Sequence, residues 1–448
     1  MRHRVKSLNP SALVRLRLVT VGRKPAALNI GMRATLAACV SAALVVACQA
    51  PAMSRPAAVA SIKGSGSLTS LSMIDATDGW AYGSQRLVRS GDGAHSFVDV
   101  TPPDVNSTNL IRSRFFLDAK RAWLLVGPVA VGARERLEAT SDGGATWTQM
   151  TTIAPEGGAS MTFVDSLHGW LTEGRWIPDC LASSSACSPP AGRQTTLEQT
   201  TDGGSTWSVV YRTTQRLSSD SLVSVPLPGG TSISVQTPLD CGWASLPAPT
   251  FVSTEVGFVG LSCPGGGQPQ IATTRDGGRT WRQTSLPPLS AEPGTVIETS
   301  VPRLRFFSRH EGVAFVDRCT GDGASCMPWG SMVRTLDGGV TWSEGVTLHG
   351  LGQTLDAVDG AHAWLLDGWL TDPQPASLLI TSDSGLSWAA VALPANLAPT
   401  GGTQAREFQL VTQTLGFAVT WTASAPDPKF YRTDDGGRSF MSFVPRVS

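Results

Sequence analysis

Seven aspartates, Asp92, Asp142, Asp202, Asp276, Asp337, Asp383 and Asp435, recur in one local setting. Four copies keep the core Asp-Gly-Gly-x-Thr-Trp in full, at Thr140–Trp147, Thr200–Trp207, Thr274–Trp281 and Thr335–Trp342. Looser copies occupy Thr381–Trp388, Thr433–Phe440 and Ser90–Phe97. A carboxylate in a polar loop can serve as a general acid or a calcium ligand. It can also close its own turn: glycines supply the positive φ of a tight hairpin, and the carboxylate accepts bonds from nearby backbone N–H groups. Seven copies favour the turn, because catalysis needs one acid or one pair in one place.

The elements that position these turns follow from a second motif ahead of each box. It spans Asp75–Trp80, Asp118–Trp123, Asp165–Trp170, Ser253–Phe258, Ser308–Val313, Asp359–Trp364 and Thr412–Phe417. A short apolar stretch usually precedes it, such as Ser160–Val164 or Leu304–Phe307. Each unit therefore reads as strand A, polar turn, strand B opening on an aromatic, strand C, Asp hairpin, strand D. Thr and Trp beside the hairpin suit strands, and the indole can wedge against the neighbouring unit. Repetition at roughly 45–75 residues marks an array. Seven units of four short antiparallel strands predict an all-β, seven-bladed propeller.

On these residues the chain resembles the BNR or Asp-box repeat proteins, over nearly all of residues 67–445. It is most similar to their photosystem II stability/assembly factor-like branch, which alternates a Gly-Trp strand with a T-x-D-G-G-x-T-W hairpin. The group also holds sialidases, xyloglucan-degrading glycosidases and sortilin-type receptors, so the resemblance implies a fold more than a function. The photosystem role is not carried over, since no residue here points to a photosynthetic host.

Composition agrees with many short strands: 448 residues carry 47 Gly, 30 Pro and only 16% charged residues. The formal net charge is zero, but residues 1–47 hold eight Arg or Lys and no acid. Without them 27 basic residues face 35 acidic ones, a net of −8, which argues against nucleic-acid binding. Residues 1–47 read as a signal peptide, with an apolar run Ala34–Ala47 behind Arg33 and a natural start at Met32. Val45–Cys48 resembles the lipobox of bacterial lipoproteins, which implies acylation of Cys48; a plain secretory signal is the alternative. Residues 48–66 then form a flexible tether and 67–448 the propeller. The expected location is the bacterial cell envelope, outside the cytoplasm.

Six cysteines lie beyond Cys48: Cys180, Cys187, Cys241, Cys263, Cys319 and Cys326. An even number in an exported chain suggests disulfides, most simply between sequence neighbours, although spacing leaves the connectivity open. Zinc is disfavoured because no C-x-x-C or paired His accompanies them. Insertions fall at Glu173–Gln194 and Asp317–Gly330, with a longer connection at Tyr211–Pro249. All three emerge on the face opposite the Asp hairpins, and long loops on a rigid scaffold commonly bind.

A sialidase-like site would need an arginine cluster, a Tyr nucleophile and an activating Glu. The only tyrosines are Tyr82, Tyr211 and Tyr431, and the sialidase Arg-Ile/Leu-Pro signature is missing. His168, His310 and His362 fall in turns, and no cofactor or metal motif appears. Arg112, Arg114, Arg303, Arg305 and Arg406 all lie in or beside innermost strands, where they could hold an anionic peptide or carboxylate, or pair with acids such as Asp118 or Glu407. The expectation is a lipid-anchored, non-catalytic binding or assembly scaffold for a protein, peptide or envelope glycan. A sialidase-like glycoside hydrolase is the alternative.

Overall fold

Each Asp hairpin draws its neighbouring strands from the same unit, so pairing runs between sequence neighbours and each unit closes on itself. The computed structural model describes residues 67–128, 130, 133–154, 158–179, 188–226, 232–238, 241–243, 249–263, 268–287, 296–299, 301–320, 327–343, 345–349, 352–367, 377–393, 397, 404–422 and 428–447. They form a seven-bladed propeller of antiparallel four-stranded blades, with no helix among the described residues. Strands are lettered A to D from the axis outward. Blade 2 is typical: A Leu110–Phe116, B Ala122–Gly127, C Glu135–Thr140 and D Thr148–Ile153.

Blade 3 departs most from this pattern. Its strands B, Gly169–Asp179, and C, Ser188–Thr200, carry the first insertion as a lengthened hairpin. Strand D continues over Ser208–Pro226, and Ser232–Pro238 adds a fifth strand. The stretch from Tyr211 expected as a connection is thus largely sheet, its Ser- and Thr-rich sequence having hidden the pattern. Blade 4 splits its inner edge between Gly242–Trp243 and Thr250–Phe251, both paired with strand B, Gly257–Ser262. Cys241 and Cys263 are placed there as a disulfide, with Cα atoms 4.0 Å apart. Cys48, Cys180, Cys187 and Cys326 lie outside the described residues, as do the side chains of Cys319 and Arg406.

Blades hold one another through the aromatic that opens strand B. Trp123 stacks on Phe163 of blade 3 at 3.8 Å and donates from Nε1 to the Gly203 carbonyl at 2.9 Å. Trp170 does the same to blade 4, stacking on Phe251 at 3.5 Å and donating to Gly277 at 2.9 Å. Phe258 repeats the stack on Phe306 of blade 5 at 3.4 Å. Four box indoles instead close their own turns, as Trp281 does by donating to Gly278, while Trp147 donates to the Val100 carbonyl. Between blades 7 and 1 the ring is sealed by the Gln409 amide, which bonds both backbone groups of Met73 at 2.7 Å. Arg446–Val447 also adds in parallel to the outer strand of blade 1, Ser96–Asp99.

Candidate functional site

The seven box aspartates are consumed by their own turns. In blade 2, Asp142 Oδ1 accepts from the Thr140 hydroxyl at 2.8 Å and the Thr146 amide at 2.9 Å. Its Oδ2 takes the Thr146 hydroxyl at 2.6 Å, while Thr140 Oγ1 accepts from the Gly144 amide. The φ of Gly143 and Gly144, +78° and +85°, is the left-handed geometry this demands. Ala94 and Ser384 adopt it in the looser boxes despite their side chains. The A–B turn then docks on each box, through bonds such as Gly143 N–H to the Lys120 carbonyl and Gly338 N–H to that of His310. A Ser, Thr or Asp opening each A–B turn accepts two amides of that turn, as Asp165 does from Leu167 and His168. That role was readable from residue type but absent from the expectation, which placed only the motif.

These bonds set the acid response. Hydroxyl and amide donors of Ser96, Thr146, Thr206 and Thr341 hold Asp92, Asp142, Asp202 and Asp337 at about 2. Burial pushes Asp276 and Asp435 up, but Thr280 and Ser439 outweigh it and also leave them at about 2. Burial raises Glu135, Glu138 and Glu198, against the opposing pull of Arg112, Arg136 and Arg212. Depressed aspartates add stability that is present above their unfolded value of about 4 and lost as pH falls toward 2. Raised glutamates act the other way, favouring the fold below about 4.3 and costing it as pH rises. Maximum thermal stability is therefore expected near about pH 4–5, with a steep fall below 4. A melting temperature that climbs from pH 5 to 7, measured by circular dichroism, would contradict this balance.

The axial arginines do not form one free cluster. Arg112 reaches Glu135 at 3.5 Å, and Arg303 reaches the buried Asp317 at 3.1 Å while lying over the Phe315 ring. Arg114 stacks on Tyr82, 3.6 Å above its centroid, and donates to its hydroxyl. Arg305 is exposed, and its charge opposes the upward push that burial gives Asp356. Asp118 pairs with Arg121, and Glu407 accepts from Ser70. Neither partner of Arg112 or Arg303 comes from an A strand. Both acids stand further out, on strands C and B of the same blade.

A concavity with convergent polar groups opens instead between blades 2 and 3, toward the face opposite the hairpins. Its volume is about 280 Å³, and Glu173, Arg175, Gln194, Thr196, Glu198 and Arg212 line it with Ala154. Glu173, Thr196 and Arg212 stand in one row across strands B, C and D, because their backbones pair in register. A bulge between Leu197 and Glu198 shifts the register to strand D at this level. Two carboxylates and two guanidiniums balance, so the crevice suits a polar ligand with donors and acceptors. Among the described residues no group of His, Cys, Asp and Glu could hold a metal ion.

No family model and no curated protein matches the chain. Among solved structures it is similar to YCF48 bound to D1 peptide, at 13% identity and TM-score 0.43, covering 83% of this chain and 94% of that one. It is similar to YCF48 from Cyanidioschyzon merolae, at 15% identity and TM-score 0.40, covering 78% and 89%. An ulvan lyase from a new polysaccharide lyase family gives 9% identity and TM-score 0.42, covering 75% and 84%. Binder and lyase stand at the same distance, so ligand and activity have to be argued from this chain's own residues.

Proposed function

We propose that the chain is an exported, lipid-anchored, non-catalytic binding scaffold, tethered through Cys48 and presenting the face opposite its Asp hairpins to a protein or peptide. The observation that carries this reading is the charge-balanced crevice between blades 2 and 3, at the root of the lengthened blade 3 hairpin. The box carboxylates and Arg112, Arg114 and Arg303 are committed to internal bonds, so they serve the frame. The Cys241–Cys263 pair supports an oxidising compartment. Loops on a rigid ring bind without moving the ring.

A second reading rests on Glu198, whose carboxyl burial pushes upward and which shares the crevice with Glu173, as a general acid shares a site with a second carboxylate. The test is affinity capture on the tethered full chain from its own envelope, with fluorogenic glycosides, including a sialoside, assayed in parallel. A specific partner whose retention falls about tenfold in Arg212→Glu, without turnover, is the result expected. Turnover that survives purification and vanishes in Glu198→Gln would assign the crevice to glycoside hydrolysis instead.

A further inference from the structure

Every box exposes two positions at its tip, the residue before the aspartate and the third residue after it. In blades 2 and 3 these are Ser141, Ala145, Thr201 and Ser205, small or polar as a solvated turn requires. Blades 7 and 1 carry charged or polar residues and a glycine there. Blades 4 to 6 differ. Blade 4 has Arg275 and Arg279, blade 5 has Leu336 and Val340, and blade 6 has Leu386 at the second position. Leu336 is 65% exposed, Val340 49% and Leu386 62%.

These tips share one face and adjoin one another. Arg275 of blade 4 borders the same depression as Gly338, Gly339 and Val340 of blade 5. The blade 6 box is bonded to blade 5 through Arg334 and Ser384. Arg309 belongs to the A–B turn that docks on the blade 5 box, and it is exposed like Arg275 and Arg279. The nearby acids are mostly engaged: Asp276, Asp337 and Asp383 bond within their own boxes, and Glu311 pairs with Arg334. Among the described turn and box residues of blades 4 to 6, Glu255 is the one exposed acid. Three protruding aliphatic side chains thus stand beside an excess of exposed positive charge.

We propose that the box tips of blades 4 to 6 are a membrane-contact surface for a bilayer with anionic headgroups. Leu336, Val340 and Leu386 enter the boundary between headgroups and acyl chains, and Arg275, Arg279 and Arg309 meet the anionic groups. Shape and residue type favour lipid over protein. Aliphatic side chains on separate convex turns offer neither a pocket nor the aromatic anchors around which protein interfaces are built. Lipid adapts to isolated tips, and the hydrogen-bonded boxes hold those tips rigid beforehand. Seated this way, the ring turns the crevice between blades 2 and 3 away from the bilayer, open to a partner. The tether is compatible with that orientation. Residues 48–66 reach up to about 65 Å when extended, against about 25 Å for the height of a strand such as Leu110–Phe116 and about 20 Å for the width of a blade.

Co-sedimentation with vesicles tests this on the chain from residue 48 onward, which keeps the closed ring entire, with Cys48→Ser so that no acyl group contributes. Binding to mixed phosphatidylglycerol and phosphatidylcholine vesicles is expected, and it should weaken as salt is raised. Leu336→Ser/Val340→Ser/Leu386→Ser should weaken it about a hundredfold, and the fold is kept because serine already occupies these positions in blades 2 and 3. Arg275→Gln/Arg279→Gln/Arg309→Gln should cost about fivefold for each charge removed at low salt. Val98→Ser, which removes an equally exposed side chain from the outer strand of blade 1, should change nothing. Absence of binding by the parent, or binding unmoved in the serine variant, would overturn the surface. Equal binding to pure phosphatidylcholine would overturn the role of the arginines. Loss of a captured protein in the serine variant, with no vesicle binding by the parent, would assign the tips to a protein partner instead.

Discussion

Trp170→Ala lowers the stability of the propeller by about 3–5 kcal/mol, the cost of emptying a large buried aromatic site. Trp170 is fully buried, and its ring lies parallel to Phe251 of the next blade, 3.5 Å away with an interplanar angle of 2°. It packs in one cluster with Leu197, Trp243, Val259, Leu261 and Ala272, which spans blades 3 and 4. Its Nε1 also satisfies the Gly277 carbonyl in the blade 4 box, so alanine leaves both a cavity and an unpaired acceptor. Trp170→Phe keeps most of the ring contact and loses only the bond, for about 1–2 kcal/mol. Urea unfolding followed by fluorescence separates the two variants. A Trp170→Ala midpoint within about 1 kcal/mol of the parent would mean that blades are held by backbone geometry and not by this stack.

The contrast between what the chain reveals as text and what it reveals when folded follows the range of the interactions. Each box is written in the sequence because its bonds close within a few residues, Thr140 to Asp142 and Asp142 to Thr146. Blade count and strand order follow from it, since every blade pairs neighbouring segments. The crevice between blades 2 and 3 was not legible. Glu173, Glu198 and Arg212 come together only through the register of three strands, and the bulge after Leu197 sets that register locally. Arg112 and Arg303 lie on A strands, and the acids that they reach stand on other strands of the same sheets.

Those partners decide the second large effect. Arg303→Ala destabilises the protein by about 3–5 kcal/mol, because it strands the carboxylate of Asp317, whose side chain is 5% exposed. Asp317 stands two residues past Phe315, the cross-strand partner of Arg303, so the guanidinium reaches diagonally over that ring to meet it. Burial works against the Arg303 charge, and Asp317 opposes that push. Removing both, in Arg303→Met/Asp317→Leu, should return most of the loss, since an apolar pair of similar volume often replaces a buried ion pair at little cost. Chemical denaturation of the two single variants and the double variant checks this as a cycle. Additive losses would show that the pair is not coupled. Charge reversal at Arg303 consequently reads folding before it reads any ligand. Arg305 is exposed and acts on Asp356 only through its field, so a substitution there is the one that can report binding at the axis while the blade stays intact.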